Sequence, residues 1–227
     1  MVEPTDGWGN PIMEDLLSAV AAYPEAAGQA VVLLGAPEVA DAWEEPSALP
    51  EMTVGALAGH LAYQIFSVSS ALEEPASEAA PIPLLEHYAR AAWLGAPLDS
   101  EVNVGIRTRG ASVASGGPES LSERALTALA RQRAELAGLS GDQTVFMPQT
   151  GWALKLADFL TVRMLELAVH ADDLAVSVGV ATPELPDAAF DPVLILLARL
   201  AARRHGQAAL LRALARAERA PAAINGI

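Results

Sequence analysis

Alanine and leucine dominate this 227-residue chain, and the apolar–polar alternation of a half-exposed strand is scarce. Such residues favour helix, so the chain reads as mainly α. Asn10-Pro11 is a start signal, with Asn as N-cap and Pro at the first helical position. That helix should run to about Leu34 and stop at Gly35-Ala36-Pro37, with Pro24 kinking or splitting it. Thr53 can cap a second helix over about 53–73, where Leu57, Leu61, Ile65 and Val68 form one stripe. A third helix, about 119–138, starts after Pro118 and ends at Gly138, and a fourth runs about 155–178 to Gly179. Between them Thr144–Trp152 reads as extended or looped. Residues 74–118 form a long crossover, with a short helix at 84–94 and then a Gly/Ser-rich loop through Gly105, Gly110, Gly116 and Gly117. A last helical segment, about 188–218, follows Pro183 and Pro186.

The expected fold is therefore an all-α four-helix bundle over 1–180 with a short C-terminal helical appendage over 181–227. Short links make neighbouring helices antiparallel, and the long crossover between helices 2 and 3 allows those two to run the same way.

The charge restricts the partners. Fourteen Lys and Arg stand against 28 Asp and Glu, a formal net of −14, which argues against nucleic acid and anionic membrane surfaces. The excess is local. Residues 1–101 hold 16 acids and one base, Arg90, whereas 102–227 hold 12 acids and 13 bases. The basic end (Arg199, Arg203, Arg204, Arg212, Arg216 and Arg219) is expected to dock by charge on the acidic half, within the chain or across a dimer. Met52–Leu72 carries no charge, but His60, Gln64, Ser67, Ser69 and Ser70 make a buried soluble helix the better reading than a membrane span. No basic, apolar leader is visible at the N-terminus, so the expected location is cytoplasmic. There is no cysteine, which excludes disulfides, thiolate–metal sites and a cysteine nucleophile.

The residues that can carry chemistry lie on two helices. Glu166 and His170 are four apart and share one face, with Arg163 and Asp173 extending the polar stripe. His60 stands alone among apolar residues in the second helix. If these helices meet, His60, Glu166 and His170 make a two-histidine, one-carboxylate set that leaves coordination positions open, as catalytic zinc and Fe(II) sites do. Spacing alone leaves a second reading open, in which Glu166 and His170 form a surface ion pair and His60 is a hydrogen-bonded core residue. Asp173 can orient a ligand histidine, or be an exposed acid. Arg163 can pair with Glu166 or Asp173, or bind an anionic substrate. Arg107 and Arg109 in the crossover can grip a carboxylate, or be solvated. His87 and His205 read as surface residues. Phosphate-loop, nucleophile-elbow and dinucleotide motifs are absent.

The stretch from Trp43 to Leu61, W-x-x-P-S-x-x-P-x-x-T-V-x-x-L-x-x-H-L, resembles the start of the mycothiol-dependent maleylpyruvate isomerase N-terminal domain, a family of the DinB-like metalloenzyme superfamily. Arg163–Leu174, R-x-x-E-x-x-x-H-x-x-D-L, resembles its second signature. The resemblance implies a DinB-like bundle in which His60, Glu166 and His170 bind a divalent metal, zinc first, with nickel, iron or manganese as alternatives. It also implies mycothiol as thiol co-substrate, a small-molecule substrate, and an isomerase or transferase acting as monomer or homodimer. Two departures stand out. Glu51-Met52 replaces the family's Gly-Trp, and only 47 residues follow Val180. They point away from maleylpyruvate itself and toward another small electrophile. A non-catalytic binding protein, and a metalloenzyme using a different thiol or none, are the competing readings.

Overall fold

A computed structural model describes residues 19–74 and 77–227. The predicted start of the first helix at Asn10-Pro11 lies outside them. Four long helices make the bundle: α1 (Ala19–Leu34), α3 (Val54–Glu73), α6 (Pro118–Leu136) and α7 (Leu156–Val178). Two short helices, α2 (Pro37–Asp41) and α4 (Leu84–Ala89), flank α3 in sequence, and α5 (Glu101–Ala114) precedes α6. Each bundle helix packs on two others in the ring α1–α6–α3–α7. Pro24 lies inside α1 without ending it.

The core follows the predicted stripe of α3. Leu57, Leu61, Ile65 and Val68 of α3 are fully buried, as are Leu160, Met164, Leu167 and Leu174 of α7 or nearly so. Each such side chain contributes about 1.5–3 kcal/mol. Thr53 caps α3, its hydroxyl accepting from the Ala56 N–H at 3.1 Å. Cross-contacts fix the directions. His60 and Gln64 of α3 meet Glu166 and Arg163 of α7 in reverse order, so those helices are antiparallel. Gln132, late in α6, bonds to Ile65 and Ser69, late in α3, so those two run the same way. The long crossover makes this possible.

The crossover itself differs from expectation. Residues 101–114 are helical, not a glycine loop. Ser100 caps α5, and Gly110 allows its backbone to lie directly against α3. A Cβ there would sit 2.5 Å from the Ala56 carbonyl oxygen, and a Cβ on Gly59 would collide with the Gly110 carbonyl. The glycines serve close helix contact here, where sequence suggests a break.

Residues 144–155 form a small antiparallel hairpin, β1 (Thr144–Met147) and β2 (Trp152–Lys155), in register Thr144↔Lys155 to Met147↔Trp152. Beyond α7 the last segment is two helices, α8 (Asp187–His205) and α9 (Gln207–Ala215), separated at Gly206 with φ +87°. The segment docks through buried Ala189, Val193, Leu196 and Leu200 of α8. Among the described residues, the ion pair made by its arginines is Arg219 with neighbouring Glu218. Burial of apolar area holds it, and among the described residues no ion pair joins these arginines to the acidic half of the chain. No helix among the described residues is long and apolar enough to cross a membrane.

Candidate metal centre

The antiparallel pairing of α3 with α7 brings His60, Glu166 and His170 together. One donor atom from each lies within 4.8 Å of the others. Glu166 Oε2 is 3.8 Å from His60 Nε2 and 3.3 Å from His170 Nε2. The two imidazole rings meet edge to face, with centroids 4.5 Å apart. Donors bound at about 2.0–2.2 Å to a tetrahedral cation stand roughly 3.4 Å apart, so the set fits a divalent ion with little movement. The three side chains are 12%, 15% and 18% exposed, so the set is not fully sealed from solvent.

Asp173 completes the arrangement. Its Oδ2 is 2.9 Å from His170 Nδ1, which fixes the ring and leaves Nε2 facing Glu166. Burial alone would lower the His170 pKa, but the hydrogen bonds to Asp173 and Glu166, with their charges, carry it up to about 9. Burial likewise opposes the charge on Glu166, yet His170 and His60 beside it, with the Arg163 charge, hold it well below the usual carboxylate range. Burial pushes His60 down from its ordinary value, against the pull of the neighbouring Glu166 carboxylate. A cation bound there therefore competes with a proton for His170.

The residues behind His60 are polar and buried. Gln64 is 2% exposed. Its Oε1 accepts from Arg163 Nη1 at 2.7 Å, and its Nε2 donates to the His60 carbonyl at 3.2 Å. The same Nε2 lies 3.4 Å from His60 Nε2. Arg163 also stacks over Phe159 at 5.3 Å, and its Nε–H is buried without a partner among the described residues. It forms no ion pair with Glu166 or Asp173, contrary to one of the sequence expectations. Arg107 pairs with Glu51 at 2.7 Å and donates to the Leu98 carbonyl, and Arg109 stacks on Tyr63 at 4.9 Å. Neither bonds to His60, Glu166 or His170.

Sequence reasoning missed Gln64, although its spacing of four from His60 places both on one face of α3. His87 reads from sequence as a solvated residue, but it is buried beneath Trp152, whose Nε1 donates to His87 Nδ1 at 3.1 Å. Burial, with the Arg163 charge adding, pushes its pKa down to about 4. That covering comes from the hairpin 65 residues away in sequence, so no local pattern signals it. His205 is partly exposed and reaches the Asn225 carbonyl, as a surface residue would.

A parallel-running helix pair within an antiparallel bundle, with two histidines and a carboxylate converging from α3 and α7, defines a helical-bundle protein with a donor set suited to a divalent cation. The chain belongs to the mycothiol maleylpyruvate isomerase N-terminal domain family, whose model matches residues 16–175. A solved structure of a mycothiol-dependent maleylpyruvate isomerase is similar over 84% of this chain and 68% of its own, at 18% identity and a TM-score of 0.49. No curated protein matches.

Proposed function

We propose that this chain is a metal-dependent enzyme that uses an external thiol, mycothiol by family membership, in isomerisation or S-transfer on a small electrophilic metabolite. The observation that carries this reading is the convergence of three donor atoms within 4.8 Å, with the far nitrogen of His170 held by Asp173. A divalent metal bound there supplies a Lewis acid that lowers the pKa of a thiol and holds it as thiolate.

The protein's own residues do the rest. His60 and His170 offer neutral nitrogens, and Glu166 offers one negative charge. With Asp173 also negative and Arg163 positive, a dication leaves the centre with a net charge of about +1, which one anionic thiolate neutralises. The chain has no cysteine, so the sulfur must come from outside. In isomerisation, the thiolate adds to an activated C=C bond, the resulting C–C single bond rotates, and the thiolate leaves as the double bond re-forms. No net oxidation occurs. In transfer, the adduct keeps the sulfur and the carbanion takes a proton from solvent.

The test is metal content and thiol dependence together. Protein purified without chelator should carry close to one equivalent of a divalent metal, lost in His60→Ala. Conjugation or isomerisation of a small electrophilic alkene should require mycothiol and stop on chelation. Substoichiometric metal that is unchanged in His60→Ala would overturn the reading.

A further inference from the structure

We infer that Gln64 is the residue that recognises the anion drawn to this centre: its amide N–H, aimed by Arg163, is the hydrogen-bond donor for an external thiolate. The inference rests on the metal reading above and assigns a role within that site.

The amide can sit only one way. Arginine only donates, so the atom facing Arg163 Nη1 at 2.7 Å must be the amide oxygen. A backbone carbonyl only accepts, so the atom facing the His60 carbonyl at 3.2 Å must be the amide nitrogen. Two independent neighbours on two helices thus fix the same orientation, and a flip would leave both bonds broken. Burial of Gln64 at 2% exposure removes water as an alternative partner.

This orientation has two consequences. First, the only side-chain oxygen of Gln64 is turned away from the donor set and occupied by Arg163. The amide oxygen of Gln64 is therefore not offered as a further ligand beside His60, Glu166 and His170. Second, one amide hydrogen is committed to the His60 carbonyl, while the nitrogen lies 3.4 Å from His60 Nε2. That ring nitrogen can accept the second hydrogen only while its lone pair is free. Once the lone pair is given to a cation, a buried N–H 3.4 Å from that ligand nitrogen loses its partner. An unsatisfied buried donor is costly, and an incoming anion relieves it. Cation loading thereby prepares a donor for an anion and offers nothing to a cationic group. The ligand class that follows is a small anion with a compact negative atom, a thiolate before a neutral thioether or amine.

The test uses the full-length protein loaded with cobalt(II), which reports ligands by its visible spectrum, and 2-mercaptoethanol as the probe. Wild type should bind one cobalt and, on titration with the thiol, develop a sulfur-to-cobalt charge-transfer band. Gln64→Leu removes the donor. Gln64→Glu keeps a partner for Arg163 but presents an acceptor in place of the donor, and serves if the leucine variant does not fold. Both should still load cobalt, with the thiol bound roughly 10- to 100-fold more weakly, the weight of one hydrogen bond to an anion. Thiol affinity within about two-fold of wild type in a cobalt-loaded variant would overturn the role of Gln64 and leave the metal reading intact. Loss of cobalt binding in both folded variants would also overturn it, making Gln64 a support of the ligands alone. Failure of wild type to take up cobalt would overturn the metal reading, and this inference with it.

Discussion

Two buried glutamines flank α3, and they have opposite characters. Gln132 of α6 is wholly enclosed, and each of its groups is matched within the protein. Its oxygen accepts from Tyr23 at 2.9 Å, and its nitrogen donates to the Ile65 carbonyl and to Ser69, both at 2.7 Å. Gln64 of α3 is nearly as buried, but one of its hydrogens points to the edge of a histidine that has other work to do. The first amide ties three helices together. In the second, one donor faces a ring nitrogen that a bound cation would claim. Burial and residue type are the same in both, so what separates a structural amide from a functional one is whether the hydrogen-bond count closes inside the fold.

The largest stability effect should come from the closed network. Gln132→Leu strands the Tyr23 hydroxyl, the Ile65 carbonyl and Ser69, and should cost about 2–4 kcal/mol by denaturant unfolding. Metal uptake by the folded fraction should stay unchanged. A cost below about 1 kcal/mol would break the contrast with Gln64. On the open side, Asp173→Asn keeps the shape but weakens the hold on His170, and should raise the zinc dissociation constant about 10- to 100-fold in a competitive chelator titration. Unchanged affinity would mean that Asp173 does not orient the ring.

His87 gives a pH-dependent contrast beside the same centre. Its pKa is about 4 in the folded chain, against an ordinary value of 6.5. The unfolded chain therefore takes up the proton first. The stabilisation from neutral His87 is fully present above about pH 6.5 and is lost as pH falls toward 4. The stability gap between wild type and His87→Gln should accordingly narrow across that window, since other carboxylates act equally in both. A gap constant with pH would show that His87 does not titrate there.

The smallest effect concerns the loop before α3. Glu51 has a φ of +61°, a conformation that glycine adopts freely. Its carboxylate pairs with Arg107. Glu51→Gly relieves strain of about 1 kcal/mol and loses a partly exposed ion pair with Arg107 worth less than that. Thermal unfolding should show a net gain of a few tenths of a kcal/mol up to about 1. A clear loss would mean that the Arg107 pair outweighs the backbone strain.

Much of the fold is legible in the sequence because periodicity and caps agree. Leu57, Leu61, Ile65 and Val68 line one face, Thr53 starts the helix, and the long crossover allows α6 to run the same way as α3. What is not legible is set by partners far along the chain. Gly110 reads as a breaker because local propensity cannot show that an α3 backbone lies 2.5 Å from its missing Cβ. The arginines of the last segment suggest charge attraction, but the buried contact is made by Ala189, Val193, Leu196 and Leu200 between them. In the centre, His60, Glu166 and His170 can be read from spacing plus motif. Gln64 needs the position of Arg163 across the helix pair before its orientation has meaning.

The most direct test of the central claim is a crystal of the metal-loaded protein, with anomalous data collected across a metal absorption edge. One peak is expected about 2.0–2.2 Å from His60 Nε2, His170 Nε2 and a Glu166 oxygen, with Asp173 still on His170 Nδ1. No peak at that position, or a peak bound through Asp173 in place of Glu166, would contradict the account.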